Sequence, residues 1–297
     1  RSPARRCRPT STHRPPDRPV VIDDNVSRPA TDVLSERSSR VVAYAKLHRP
    51  SVRRDEGRFL VEGANSVAAA LAVGRALVVL VRSGDAERHH GVLADAASRG
   101  VDVVQLTDKA VTKLSEATTP PGIFAVCELL DADLTEVLAA QPRLLAVAVE
   151  AREPGNAGTI IRCADAMGAD AVVLLGDSVD PHNGKCVRSS AGSVFHLPII
   201  RERSIADGLN RISVAGITTL ATAADGELSL DDAEGVLSRP TAWLLGNEAH
   251  GLADEVLAAA DHRVSIPIRG RAESLNIAAA AAICLYESAR VLARRSA

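Results

Sequence analysis

Aromatic side chains are scarce, with three Phe, two Tyr and one Trp making up 2% of a 297-residue chain. That scarcity argues against RNA modules that stack unpaired bases on exposed rings. Long apolar runs are also missing; the richest stretches are short and broken by charge or glycine, so none reaches the length of a membrane span. Cysteine spacing is uninformative in a useful way. Cys7, Cys127, Cys163, Cys186 and Cys284 are odd in number and scattered, without CxxC or CxxH, so neither a zinc site nor a disulfide framework is indicated. Reduced thiols in a cytoplasmic protein are the economical reading. No GxGxxG follows a strand and no GxxxxGK[ST] occurs, which removes the usual dinucleotide and P-loop cradles. No GxSxG elbow and no HExxH appear, so neither a serine-hydrolase nor a metalloprotease site is expected, and no metal.

What is present is a core and an uneven charge. Hydrophobic residues make up 46% of the chain, enough for two domains and too many for wholesale disorder. The formal net charge is −2, but residues 1–58 carry +7 and the remainder −9. Such asymmetry suggests a front end facing a polyanion. Positions 1–32 are rich in Arg, Pro, Ser and Thr, include Pro15-Pro16, lack apolar periodicity and read as a disordered arm. They also lack the apolar core of a secretory signal. From 33 to 129, strands over 58–62, 77–81, 101–106 and 123–129 alternate with helices over 66–73, 85–98 and 111–117, predicting a small α/β domain. Residues 130–143 read as a linker with one helical turn or two, and 144–297 as a second α/β domain. Its strands, over 144–149, 171–175, 217–221, 242–245 and 264–268, are continuous apolar runs, as in a parallel sheet covered on both faces. Its helices fall near 156–167, 205–214, 253–259 and 275–293.

Three segments at strand exits carry the chemistry. Glu150-Ala151-Arg152-Glu153-Pro154-Gly155-Asn156 leads into a helix bearing Arg162. Leu245-Gly246-Asn247-Glu248-Ala249-His250-Gly251 follows another strand, its glycines permitting backbone shapes closed to other residues. Ile266-Pro267-Ile268 through Glu273-Ser274-Leu275-Asn276 precedes the alanine run Ala278 to Ala282, with Ser274 or Asn276 as helix cap. Taken singly, each has a bland reading: a surface Arg, a turn with a capping Asn, a capped core helix. Carboxyl ends of strands are, however, where open α/β sheets bind ligands.

In this order and spacing the three segments resemble the signature motifs of the SpoU (TrmH-like) RNA 2′-O-ribose methyltransferases, of the SPOUT superfamily. The likeness runs from Leu144 to the end of the chain and includes the stretch from Arg188 to Pro198. Residues 34–129 are less specifically similar to that family's ribosomal-protein-like substrate-binding domain. The resemblance implies an α/β fold whose C-terminal parallel-sheet domain is tied in a trefoil knot, behind a small N-terminal α/β domain. It implies S-adenosyl-L-methionine as cofactor, bound near Gly246, Ile266 and Leu275, and catalysis by Asn156, Arg162, Glu248 and Asn276. It implies a homodimer with the active site at the interface, and an RNA partner, rRNA ahead of tRNA, as in the thiostrepton-resistance types. Arg188 becomes a second phosphate clamp; Arg49, Arg53 and Arg54, in the basic front stretch, are expected to grip RNA phosphates. Ala249 and Ala278 depart from the family pattern, where Gly and a hydroxyl residue are common. The competing reading is a non-catalytic RNA-binding or assembly protein on the same scaffold; the intact set Asn156, Arg162, Glu248 and Asn276 speaks against it.

Overall fold

The computed structural model describes residues 33–247 and 250–296. The arm expected at 1–32, Glu248 and Ala249 lie outside the described residues. The front part comprises α1 (Ser39–Lys46), α2 (Pro50–Glu56), β1 (Arg58–Glu62), α3 (Ala64–Ala72), β2 (Ala76–Arg82), α4 (His90–Ser98), β3 (Asp102–Leu106), α5 (Asp108–Leu114) and β4 (Ile123–Glu128). Its strands form one sheet in the order β1-β4-β2-β3, with β4 antiparallel to both neighbours and β2 parallel to β3.

The rest of the chain builds a second sheet. Its elements are β5 (Asp131–Ala132), α6 (Leu134–Ala139), β6 (Leu144–Val149), α7 (Pro154–Ala166), β7 (Ala171–Leu175), α8 (Gly184–Ser190), β8 (Ile199–Glu202), α9 (Ile205–Val214), β9 (Thr218–Thr222), β10 (Leu228–Ser229), α10 (Glu234–Leu237), β11 (Thr241–Leu245), α11 (Asp254–Ala259), β12 (His262–Ser265) and α12 (Ile277–Ser296). The strand order is β10-β12-β9-β11-β6-β7-β8-β5, and every pairing is parallel.

The two-residue period of a strand sorts the side chains into layers. On β6, Leu144, Ala146 and Ala148 enter one hydrophobic cluster, while Leu145 and Val147 enter another with α6, α9 and α11. On β4, Ile123, Ala125 and Cys127 join the first of these clusters, and Phe124 and Val126 face α1 and α5. One continuous apolar core thus runs from the inner face of the front sheet through α3, α7 and α12 to the inner face of the parallel sheet. The alanines of α12 allow this close approach. Behind them, Trp243 on β11 is fully buried and donates its ring N–H to Ser288 Oγ at 2.8 Å, so its one polar atom is satisfied.

Two sequence expectations change, and two elements were not read at all. The stretch read as a linker at 130–143 is the edge of the parallel sheet: β5 pairs with Ile199 and Ile200 of β8, and Leu134 of α6 is buried. A two-residue strand is too short to show a period. The helix expected from 85 begins instead at His90, because Asp85–His89 turns to bring His89 Nε2 to Pro121 O at 3.2 Å. Strand β8 and helix α8 carry too few apolar residues to have been read from pattern alone.

Candidate active site

In the parallel sheet the chain moves from β6 outward to β7 and β8, then crosses to β9 and β11 on the other side. The topological switch point therefore lies between β6 and β11, the place where such sheets open a ligand crevice. The two strand exits are tied together there. Glu150, just past β6, adopts a left-handed φ of 51° and donates its N–H to Leu175 O at 3.0 Å. Its carbonyl accepts the Asn247 side-chain amide at 2.8 Å. Asn247 and Gly251 exchange backbone hydrogen bonds of 3.0 and 2.8 Å, closing a small loop. Gly246 sits beneath that loop: a Cβ there would lie 2.4 Å from the Gly251 carbonyl carbon and 2.5 Å from Leu252 N. Only glycine permits the packing.

Above the exits of β11, β9 and β12 is a cavity of about 370 Å³, within the range of small-molecule sites. Gly246, Ile266 and Leu275, the three positions expected to hold the cofactor, all line it. Leu252 and Ile277 add apolar wall, and Asp225 and Glu273 add acidic groups. Leu275 and Ile268 are each 39% exposed, leaving apolar surface open to a flat, partly apolar ligand.

Helix α7 supplies the polar side. Pro154 sits in its first turn, and Glu153 caps it by accepting Asn156 N–H at 2.9 Å. Glu153 also accepts a hydrogen bond from Lys185 of α8, which, as the main cause, holds its carboxyl below the usual range. Gly158 lets α8 lie against α7; a Cβ would fall 2.3 Å from Cys186 O. The side chains of Asn156 and Asn276 meet, Asn276 Nδ2 donating to Asn156 Oδ1 at 3.2 Å. Asn276 Oδ1 in turn caps α12 by accepting from Ala278 N at 2.9 Å. One amide thus joins the first and third segments. Arg162, two turns along α7 from Asn156, is exposed and has no hydrogen-bond or ion-pair partner among the described residues.

One expected phosphate contact is corrected, and another is already paired with carboxylates. Arg53 is 2% exposed and cannot meet RNA: its guanidinium binds Asp180 Oδ2 and the carbonyls of Leu47 and His48. Arg188 is held by front-domain carboxylates, Glu62 at 3.0 Å and Glu116 at 3.8 Å. Sequence gives an Arg no sign of whether a distant carboxylate will face it. Arg49 and Arg54 remain exposed. Glu150, Glu153 and Lys185 were missed as organisers of the site. For Glu153 a signal existed, an acidic residue just before a Pro-initiated helix. For Lys185 there was none.

The fold and cavity define an open parallel α/β protein with a ligand cavity at the strand exits beside its switch point, and a second domain packed against it. Comparison with known proteins places it further. Residues 143–286 match the model of the SpoU rRNA methylase family, and residues 38–125 match the MRM3-like substrate-binding domain. The chain is 34% identical over 255 residues to a 23S rRNA (guanosine(2553)-2′-O)-methyltransferase of Bacillus subtilis, covering 86% of this chain and 97% of the relative. It is 31% identical to a 23S rRNA (uridine(2479)-2′-O)-methyltransferase of Streptomyces viridochromogenes, covering 88% and 93%. Among solved structures, the SpoU methyltransferase AviRb from Streptomyces viridochromogenes, in complex with AdoMet, superposes with a TM-score of 0.76 at 28% identity, covering 88% of this chain and all of that one. An RNA 2′-O ribose methyltransferase matches with a TM-score of 0.76 at 32% identity, covering 87% and 98%. The chain belongs to the SpoU rRNA methylase family.

Proposed function

We propose that this protein transfers a methyl group from S-adenosylmethionine to a ribose 2′-hydroxyl of 23S ribosomal RNA. The observation that carries the reading is the convergence of Gly246, Ile266 and Leu275 on one cavity, beside the Asn156–Asn276 bridge. The residues present fit the cofactor. Ile266 and Leu275 offer apolar faces to an adenine, loop backbone near Gly246 can bond its edge, and Asp225 and Glu273 suit a cationic ligand. When bound, S-adenosylmethionine supplies a methyl group already activated by the adjacent sulfonium.

The task left to the protein is to place a poor nucleophile in line and to favour its anionic form. Arg162 is the candidate for both. An arginine guanidinium stays protonated in proteins, so it is a poor general base. Its fixed charge instead stabilises the alkoxide developing on the ribose oxygen and anchors the neighbouring phosphate. The hydroxyl proton passes to that phosphate or to water. Asn156 orients the ribose or Arg162, and Asn276 holds Asn156 in place. Glu248 supports the loop. Arg49 and Arg54 contact phosphates at the front, without reading sequence.

The same reading includes a homodimer, a trefoil knot made by the loops after β11 and β12, and a cytoplasmic location. Support for the dimer comes from the outer face of α12. Tyr286 is 58% exposed and Ile283 39% exposed, beside Met167 of α7 around a broad depression. Among the described residues no helix is long and apolar enough to cross a membrane.

The test uses labelled S-adenosylmethionine, 23S rRNA, the wild-type chain and Arg162→Ala. Incorporation should fall about 100-fold or more in the variant, while binding of the methyl donor persists. Equal incorporation by both proteins would remove Arg162 from the chemistry. No methylation of any RNA by the wild type would overturn the function.

A further inference from the structure

The sequence counts Arg53 among the phosphate-gripping cations, but the fold turns it inward to a cluster that joins the two domains. Its Nε and Nη2 donate to Asp180 Oδ2 at 3.1 and 2.6 Å, and its Nη1 to Leu47 O and His48 O at 2.9 and 3.0 Å. Asp180 lies between β7 and α8, in the methyltransferase part. Its other oxygen accepts the backbone N–H of His182 at 3.0 Å and faces His182 Nδ1 at 3.2 Å. His182 Nε2 accepts Leu130 N–H at 3.0 Å, where the front sheet hands over to the parallel one. That bond requires a lone pair on Nε2, which places the ring proton on Nδ1, pointing at Asp180. The ring of Phe59 on β1 closes the cluster edge-on to His182, with centroids 4.7 Å apart.

This cluster is a joint of unusual definition. The front domain supplies Arg53, two carbonyls and Phe59; the junction supplies Leu130; the methyltransferase part supplies Asp180 and His182. Burial alone would raise the Asp180 carboxyl. The hydrogen bonds from His182 and Arg53, with the guanidinium charge, outweigh that and keep it well below the usual range. Arg201 of β8 also stands 3.8 Å from Asp180 Oδ1, but Asp180 is the one carboxylate paired with buried Arg53 among the described residues, so displacing the front domain leaves that guanidinium uncompensated. An apolar contact of the same area would tolerate small shifts.

Position gives the joint its consequence. Arg53 lies on α2 between Arg49 and Arg54, both exposed. The one buried Arg therefore sets where its two solvent-facing neighbours stand relative to α7, whose first turn is fastened to α8 by Glu153 and Lys185. Phosphate contacts fix register without reading bases. A rigid separation between them and the methyl-transfer site acts as a ruler along the RNA.

We propose that Arg53, Asp180 and His182 are positioning residues that select the methylated nucleotide, by holding the RNA-gripping front domain at one distance and angle from the methyltransferase site. The proposal rests on the RNA-methylation reading above. Its test uses the full chain as wild type, Asp180→Asn and Arg53→Lys. Asp180→Asn keeps shape and removes the charge; Arg53→Lys keeps the charge and loses the fork. Three quantities are measured: the dissociation constant for S-adenosylmethionine, KM and kcat on 23S rRNA, and the nucleotide that carries the new methyl group. Donor affinity should stay within about twofold in both variants. KM for RNA should rise tenfold or more in Asp180→Asn and less in Arg53→Lys, with methyl groups appearing at additional nucleotides. An unchanged KM and a single wild-type nucleotide in Asp180→Asn would overturn the joint. Lost donor affinity would overturn it too, by showing that Asp180 supports the methyltransferase fold itself. Amide exchange separates this proposal from the one beneath it. If the wild type methylates no RNA, the functional reading fails, yet exchange across 39–56 should still quicken at least tenfold in Asp180→Asn; unchanged exchange would refute the joint independently.

Discussion

At the residue scale, the same amino acid serves opposite ends depending on what faces it. Arg162 and Arg53 both lie on helices, yet one is exposed and the other has every guanidinium nitrogen bound inside the fold. Nothing local distinguishes them; the partner of Arg53 lies 127 positions away. Gly246 is the opposite case, where local chemistry sufficed: a glycine directly after an apolar strand implies a close approach, and the loop 246–251 provides it. Gly246→Ala would drive a Cβ into the backbone of Gly251 and Leu252. We expect S-adenosylmethionine binding to weaken at least tenfold by calorimetry. Gly235→Ala, where a Cβ meets nothing within 4 Å, should bind as the wild type does. Equal affinity in the two variants would show that this loop does not shape the donor site.

At the scale of elements, helix ends organise the site. Glu153 starts α7 and Asn276 starts α12, and each side chain does a second task, one holding Lys185 and the other Asn156. A cap before the apolar run was legible, with Ser274 and Asn276 as alternatives, and the structure selects Asn276. Its contact with Asn156 was not, because 120 residues separate them. The two roles can be parted. Asn276→Ala should cost about 1 kcal/mol by thermal or denaturant unfolding and lower kcat. Asn276→Ser can still cap α12, so stability should return, but it no longer donates to Asn156 and activity should stay low. Full activity in the Ser variant would show that capping alone is what matters. The strands of the parallel sheet were the most legible elements of all. The runs at 144–149 and 171–175 are bounded as read, because burial on both faces writes an unbroken apolar stretch. Strand β5, two residues long and half-polar, leaves no such trace.

At the scale of the whole molecule, the charge asymmetry of the sequence is partly folded away. Of the basic positions expected to meet RNA, Arg53 and Arg188 are turned onto carboxylates across the domain boundary, and Arg49 and Arg54 stay outside. The front of the chain therefore spends cations on fastening itself as well as on gripping a polyanion. A further surface is left open on α12. Tyr286 and Ile283 form an exposed apolar patch flanked by Asp231, Glu287 and Arg290, the composition of an interface with a polar rim. If the proposed dimer forms through this patch, Tyr286→Arg should leave a monomer by light scattering and reduce methylation several-fold, with the thermal midpoint measured alongside. A variant that remains dimeric would show that the subunits meet elsewhere; a monomeric wild type would remove the dimer from the proposed function.

The resemblance of the strand-exit segments to signature motifs implied the family, while the order of apolar runs, with the glycine and asparagine signals, determined by sequence alone the α/β class and the parallel sheet. Each of these is written in neighbouring residues, where period and turn chemistry act. The tertiary structure decided what depends on distant partners: that Gly246, Ile266 and Leu275 share one cavity, that Asn156 meets Asn276, that Arg53 is buried and that Arg188 pairs with Glu62. Charge and hydrogen bonding are pairwise, and a sequence lists the members of a pair without saying which will meet.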